Sequence, residues 1–152
     1  MTRPMGVVVA VLLLFPFVET RAQEPFNQEA AIAQLKAKMA GQEQKPAEEV
    51  FKNVQMFKGR PASQLVRTME TGFTRALGVQ CTHCHVPGEW DKDEKVPKQV
   101  TREMMTMSAK INTELLSTIK GIKSEKPTVG CTTCHRGQVK PSNALVVVPP
   151  KP

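Results

Sequence analysis

Large side chains are almost missing from this chain. It has no tyrosine and a single tryptophan, Trp90, and aromatic residues make up 5% of its 152 positions. A domain of this size normally hides bulky side chains at its centre. A conventional core is therefore excluded unless something else supplies the apolar bulk. Cysteine and histidine are scarce too, at four and three. All four cysteines fall in two C-x-x-C pairs, so none is left near the N-terminus for a lipid anchor. No βαβ pattern surrounds either pair, which argues against thioredoxin-like redox chemistry.

Long apolar runs are also lacking. Residues 6–18 carry no polar side chain and follow Arg3, and Thr20-Arg21-Ala22 comes next. Thirteen residues fall short of the ~20 that cross a bilayer, and the layout is that of a secretory signal peptide cut near Ala22. No later segment is apolar enough to span. The expectation is an exported, periplasmic protein; an uncleaved anchor is the alternative. Acidic charge is in deficit, at net +7, and removing residues 1–22 takes two arginines and one glutamate to leave +6. Such a balance often accompanies nucleic-acid binding, but export argues against that partner.

What is present is more specific. Cys81-Thr82-His83-Cys84-His85 returns as Cys131-Thr132-Thr133-Cys134-His135. Both read C-x-x-C-H, the attachment signature of c-type haem. Thiols three positions apart lie within one helical turn and can add to the two vinyl groups of one haem. The next imidazole then lies under the iron as its proximal ligand. Cys81, Cys84, Cys131 and Cys134 are thus expected to hold two haem c groups, with His85 and His135 as iron ligands. Four ionised propionates would bring the ferrous protein from +6 to about +2, and two porphyrins would supply the missing apolar bulk. A structural zinc usually joins pairs ~15–20 residues apart, whereas 46 residues separate Cys84 from Cys131. Two disulfides suit an exported chain, but they give neither histidine a reason.

Two helices precede the attachment sites. Pro61 opens the first and Gly78 closes it, with Leu65, Met69, Phe73 and Leu77 as one stripe broadened by Val66. Pro97 opens the second, which runs to about Leu116 with Val100, Met104, Met107, Ile111 and Leu115 in line. Arg67-Thr68-Met69 and Arg102-Glu103-Met104 read as an internal repeat. A methionine on an apolar helical face is ordinarily packing, but each iron needs a sixth partner. His83, the one spare histidine, sits on an attachment turn and cannot easily cross to the far side of its own haem. Met56 reads as packing. The weaker helix over residues 29–39, with Asn27 as its cap, reads as peripheral, and residues 41–46 as a polar linker. Residues 54–57 read as a short extended piece, and residues 141–152 as an extended, proline-rich tail.

At these residues the chain resembles the cytochrome c subunit of photosynthetic reaction centres. The similarity covers about residues 50–140 and includes Asn53-Val54-Gln55, Arg67-Thr68-Met69, Gly88-Glu89-Trp90, Arg102-Glu103-Met104 with Ile111-Asn112, and the stretch from Cys131 to Gly137. The resemblance implies haem units in which a helix bearing an axial methionine is followed by a turn and an attachment helix. Met69 then serves the haem on Cys81 and Cys84, and Met104 the haem on Cys131 and Cys134. Met107 is the rival, and Met105 points elsewhere. The family's photosynthetic members carry four haems, and this chain has motifs for two.

The fold expected is mostly α: a small dihaem cytochrome c of two helix–turn–attachment-helix units, with extended termini. It divides into a signal peptide (1–22), an N-terminal helix and linker (23–49), a dihaem domain (50–140) and a tail (141–152). The function expected is one-electron transfer between a redox protein donor and acceptor, including a membrane respiratory or photosynthetic complex. The rival is a dihaem enzyme or gas sensor of peroxidase type with one open iron position. Nothing supplies its acid–base group beyond the poorly placed His83. Intact-mass analysis after acid–acetone extraction is expected to retain two haems on a chain beginning near Gln23. A mass that includes residues 1–22 would instead show a retained leader.

Overall fold

The computed structural model describes residues 25–144. Within them the chain is mostly helical, and its only strand-like pairings are two isolated bridges, Pro46 with Pro61 and Val86 with Glu89. Helix α1 (Gln28–Lys38) starts at Asn27, whose side-chain oxygen accepts from the Ala30 N–H at 2.9 Å. That bond satisfies one of the donors a helix start leaves free. A short helix α2 (Ala47–Val50) follows. Residues 41–46 do not form a free linker. They lie along residues 60–63, with Ala47 N–H donating to Arg60 O at 2.7 Å and Ala62 N–H to Lys45 O at 2.9 Å. Ala47 and Ala62 are fully buried where the two segments meet, and only small side chains fit between backbones that close. Met39 and Val66 pack beside Ala62, with Val50 and Phe51 against them, to form a small core.

The expected helix between Pro61 and Gly78 is there, but it is not a uniform α-helix. Helix α3 (Ala62–Arg67) continues through a π-helical turn (Thr68–Phe73) into helix α4 (Thr74–Leu77). In an α-helix, residues four apart drift by about 40° per step. The wider π turn, with its i→i+5 bonds, rotates them back. Leu65, Met69, Phe73 and Leu77 therefore keep one straight line across three turns. Hydroxyls stabilise the distorted rod: Thr68 donates to Gln64 O and Thr71 to Arg67 O, both at 2.8 Å, and Thr74 donates to Glu70 O.

The rod ends at Gly78 in the left-handed region, φ +65°. Gly137 approaches it from the other half of the chain, its N–H donating to Ala76 O at 2.9 Å. Helix α5 (Val96–Lys110) begins one residue before Pro97 and passes through a second π turn (Ile111–Leu115) to a 3₁₀ turn (Leu116–Thr118). Helix α6 (Cys131–His135) is a single turn. Residues 141–144 form neither helix nor strand. The signal peptide, and all but the first four residues of the expected tail, lie outside the described residues. No helix among those described is long and apolar enough to cross a membrane.

A Cβ on Gly78 would overlap the Gly137 carbonyl oxygen, whereas one on Gly59 (φ +74°) meets open space. Gly59→Ala is expected to cost only the left-handed penalty, about 1–2 kcal/mol. Gly78→Ala adds the overlap and is expected to lose at least ~3 kcal/mol. Urea unfolding of the two variants checks the difference.

Candidate functional site

Cys81–His83 form a 3₁₀ turn in which Cys84 N–H and His85 N–H both donate to Cys81 O, at 3.2 and 3.0 Å. Residues three apart eclipse in such a turn, so Cys81 and Cys84 face one side. That side is a cavity of about 290 Å³. One water needs only ~10–15 Å³, so the cavity is too large for a packing defect and has room for a ligand. The rod lines it with its whole stripe, Leu65, Met69, Phe73 and Leu77, and Cys81, Cys84 and His85 line it as well. Four residues expected to act together, Met69, Cys81, Cys84 and His85, thus share one apolar chamber.

His85 is fixed by what its second nitrogen does. Nδ1 lies 2.9 Å from the Trp90 carbonyl oxygen. A carbonyl can only accept, so Nδ1 carries the proton and Nε2 keeps its lone pair free for a metal. Burial pushes the imidazole below its ordinary pKa, and the Trp90 carbonyl pulls the other way. The ring is therefore neutral near pH 7, as a ligand must be. Trp90 meets it edge-on, with centroids 5.8 Å apart, and Phe26 meets Trp90 at 6.4 Å. Burial also pushes the Cys81 and Cys84 thiols up.

One expectation is corrected here. Helix α1 is not peripheral. Ile32 and Leu35 line the cavity, Gln28 Oε1 accepts from the Cys81 N–H at 3.0 Å, and Lys36 pairs with Glu70 on the rod at 2.9 Å. Met105 points away from the Met104 stripe, as expected, and lines this same cavity beside Lys98, Thr101 and Arg102. The stripe Val100, Met104, Met107 has the strongest apolar pattern, yet it lies on another face of α5 and is exposed. Periodicity identified the apolar face of α5, but the face against the first site is the mixed one. There Arg102 holds Asp93 by two bonds of 3.0 and 2.9 Å, and Lys98 pairs with the same carboxylate at 2.9 Å. These cations hold the Asp93 carboxyl far below the usual carboxylate range.

The second attachment site repeats the device in a more open setting. Helix α6 starts at Gly130, whose N–H donates to Thr133 Oγ1 at 3.0 Å, and His135 Nδ1 lies 3.0 Å from Gln138 O. The proton is again on Nδ1 and the lone pair on Nε2. Cys131 and Cys134 are exposed. Met104, Cys131, Cys134 and His135 are not enclosed in one chamber; their elements are tied by a clamp instead. Asn112 donates to Val129 O at 2.9 Å and accepts from Val129 N–H at 2.7 Å, and Ser108 Oγ donates to the same carbonyl at 3.4 Å. Met104, Ser108 and Asn112 are four apart, so the clamp brings the residues just before Cys131 to the Met104 side of α5. Met107 is about 100° round the helix from Ser108. Gln28 and Lys98 were not singled out from the sequence, and Asn112 entered only within the Ile111-Asn112 match of the resemblance. Asn112 alone had a signal, as an asparagine inside a helix, where it is a poor former.

None of the four cysteines is bridged to another. Among the described residues no three of His, Cys, Asp and Glu are gathered as a metal site would need.

The family model for the photosynthetic reaction centre cytochrome C subunit matches residues 12–151. The chain is 34% identical over 104 residues to the photosynthetic reaction center cytochrome c subunit of Thermochromatium tepidum, covering 68% of this chain and 24% of that protein. It is 30% identical over 83 residues to cytochrome c-554 of Chloroflexus aurantiacus, covering 55% and 20%. With the corresponding reaction center subunit of Rubrivivax gelatinosus it shares 28% over 133 residues, covering 87% and 34%. The chain thus spans between a fifth and about a third of these relatives' lengths.

Asn112→Ala leaves the Val129 N–H without a partner and its carbonyl with only the long Ser108 bond, at about 1–3 kcal/mol. The clamp holds residues 116–130, so trypsin is expected to cut at Lys120 and Lys123 several times faster in the variant. Unchanged cleavage would show that the clamp does not restrain this loop.

Proposed function

The chain belongs to the photosynthetic reaction centre cytochrome c subunit family, and from that premise we propose that it is an exported, two-haem carrier of single electrons. Cys81 and Cys84 hold one haem c and Cys131 and Cys134 the other, with His85 and Met69 on the first iron and His135 and Met104 on the second. When bound, haem would supply one-electron exchange between ferric and ferrous iron, and the protein would stand between a reduced redox protein and an oxidised one. Residues 1–22 deliver the chain to the periplasmic side, where its partners are redox proteins, including a membrane respiratory or photosynthetic complex.

The observation that carries this reading is the shared chamber of Met69, Cys81, Cys84 and His85. Its donor set suits a c-type haem: two thiols on one side of a turn, a neutral imidazole with Nε2 free, and a thioether on an apolar wall. The residues then do three things. The Trp90 and Gln138 carbonyls orient the two imidazoles. The straight stripe of the rod excludes water and fixes Met69 among neighbours on both sides. Helix α5 separates the two sites, backing the first with Thr101 and Met105 and offering Met104 to the second. With an imidazole and a thioether available to hold each iron, no bond would need to form or break as the charge changes, which would suit a carrier rather than a catalyst.

Met69→Ala is expected to abolish one sulfur–iron charge-transfer band and lower one midpoint potential while sparing the other, and Met104→Ala to do the same at the second site. Met107→Ala is expected to leave both bands intact. The reduced, unmodified protein at neutral pH is expected to show little carbon monoxide binding and no peroxide turnover, with Met69→Ala gaining carbon monoxide at one haem as the positive control. Stoichiometric binding by the unmodified protein would overturn the carrier reading in favour of the peroxidase or sensor.

A further inference from the structure

Lys98 is the one charged side chain buried among the described residues, at 9% exposure. A buried ammonium requires partners, and its partners here are unusual. Nζ donates to Trp90 O at 3.1 Å and to Lys92 O at 2.6 Å, and pairs with Asp93 at 2.9 Å. The Trp90 oxygen is the same atom that accepts from His85 Nδ1. One carbonyl therefore orients the imidazole and binds a cation. We propose that Lys98 is a positioning residue that sets the first haem's affinity for its electron, acting on His85 through the Trp90 carbonyl.

This inference rests on His85 being an iron ligand, as proposed above. Two effects act in the same direction. A strong acceptor on Nδ1–H makes an imidazole more basic as a ligand, which favours the oxidised iron. An ammonium on that acceptor draws off its electron density, weakens the Nδ1 bond and favours the reduced iron. The ammonium charge itself also favours the form that has gained an electron, and burial limits its screening by salt. Asp93 offsets part of this field, but its carboxylate is shared with Arg102, so the trio of Lys98, Arg102 and Asp93 keeps a net positive charge. The second site lacks the device. Gln138 O accepts from His135 in an exposed position, and among the described residues no cation is bonded to it. The first haem is thereby the higher-potential one of the two.

The test uses the full-length holoprotein, after mass analysis has shown two covalent haems on the unmodified chain. Haem missing there would overturn the functional reading rather than the role of Lys98. Spectroelectrochemical titration of Lys98→Met is expected to show about a tenfold loss in the first haem's reduction equilibrium, about 59 mV for one electron. The second haem should stay within about twofold, or about 18 mV on the same scale. Met69→Ala assigns which wave belongs to the first haem. Lys98→Arg keeps the charge and the donors and is expected to restore the potential. Lys98→Gln keeps a donor without the charge, so it covers the case in which Lys98→Met does not fold, and it should shift the wave the same way by a smaller amount. In the fully reduced protein the His85 Nδ1 proton resonance is expected to move downfield in Lys98→Met as its hydrogen bond strengthens. A lowered unfolding midpoint with both the potential and that resonance unchanged would overturn the proposal and leave Lys98 a structural residue. Equal shifts of both haems would overturn it too, by showing a diffuse charge effect.

Discussion

A chain this poor in large side chains must organise itself around apolar surface rather than around an apolar centre. Among the described residues the buried hydrophobic positions are few and mostly small: Ala31, Ala47, Ala62 and Ala76, with Met39, Phe57 and Val66. Leu65, Phe73, Leu77, Ile32 and Leu35, which would form the core of an ordinary helical domain, line the chamber beside Cys81 and Cys84 instead. The other features follow from this. Backbones approach at alanines and glycines because they have no bulk to pack on. Threonine hydroxyls cap carbonyls along both long helices, and loops are fastened by asparagine, lysine and glutamine side chains that reach main-chain groups. Polar ties replace hydrophobic packing wherever the chain must hold a shape.

The attachment motifs, the rod between Pro61 and Gly78 and its stripe were legible in the sequence because each depends on local spacing. Cys81 and Cys84 sit one turn apart wherever the chain goes, and residues four apart share a helical face. The π turn was not legible, yet it is what keeps that stripe straight. The mixed face of α5 was missed for a different reason. Its inner residues, Lys98, Thr101, Arg102 and Met105, include two cations, and polar residues on a helix ordinarily face water. Here Asp93 and the Trp90 and Lys92 carbonyls, all in the loop just before the helix, satisfy the charges, an arrangement with no periodic signature. The peripheral placing of α1 failed likewise, because the Gln28–Cys81 contact joins residues 53 positions apart.

Helix α5 gives the two halves of the molecule their relationship. One face closes the first chamber, and another carries Met104 toward the segment that Asn112 holds in front of Cys131. The two candidate sites are therefore neighbours across a single helix rather than separate modules on a string. They are unlike neighbours: the first is walled by three helices and half-buried, the second open at Cys131 and Cys134.

The meeting of Gly78 with Gly137 extends this neighbourhood into the main chain. Each glycine lies within a few residues of an attachment motif, Gly78 before Cys81 and Gly137 after His135, and the adjoining backbone is hydrogen-bonded across the gap. The separation of the two sites is thus gauged by peptide groups, whose dimensions are the same in every sequence. Side chains around either site are free to diverge over evolutionary time while the span between them stays constant. A lineage could retune each site's chemistry and its choice of partner independently and still inherit the same internal distance.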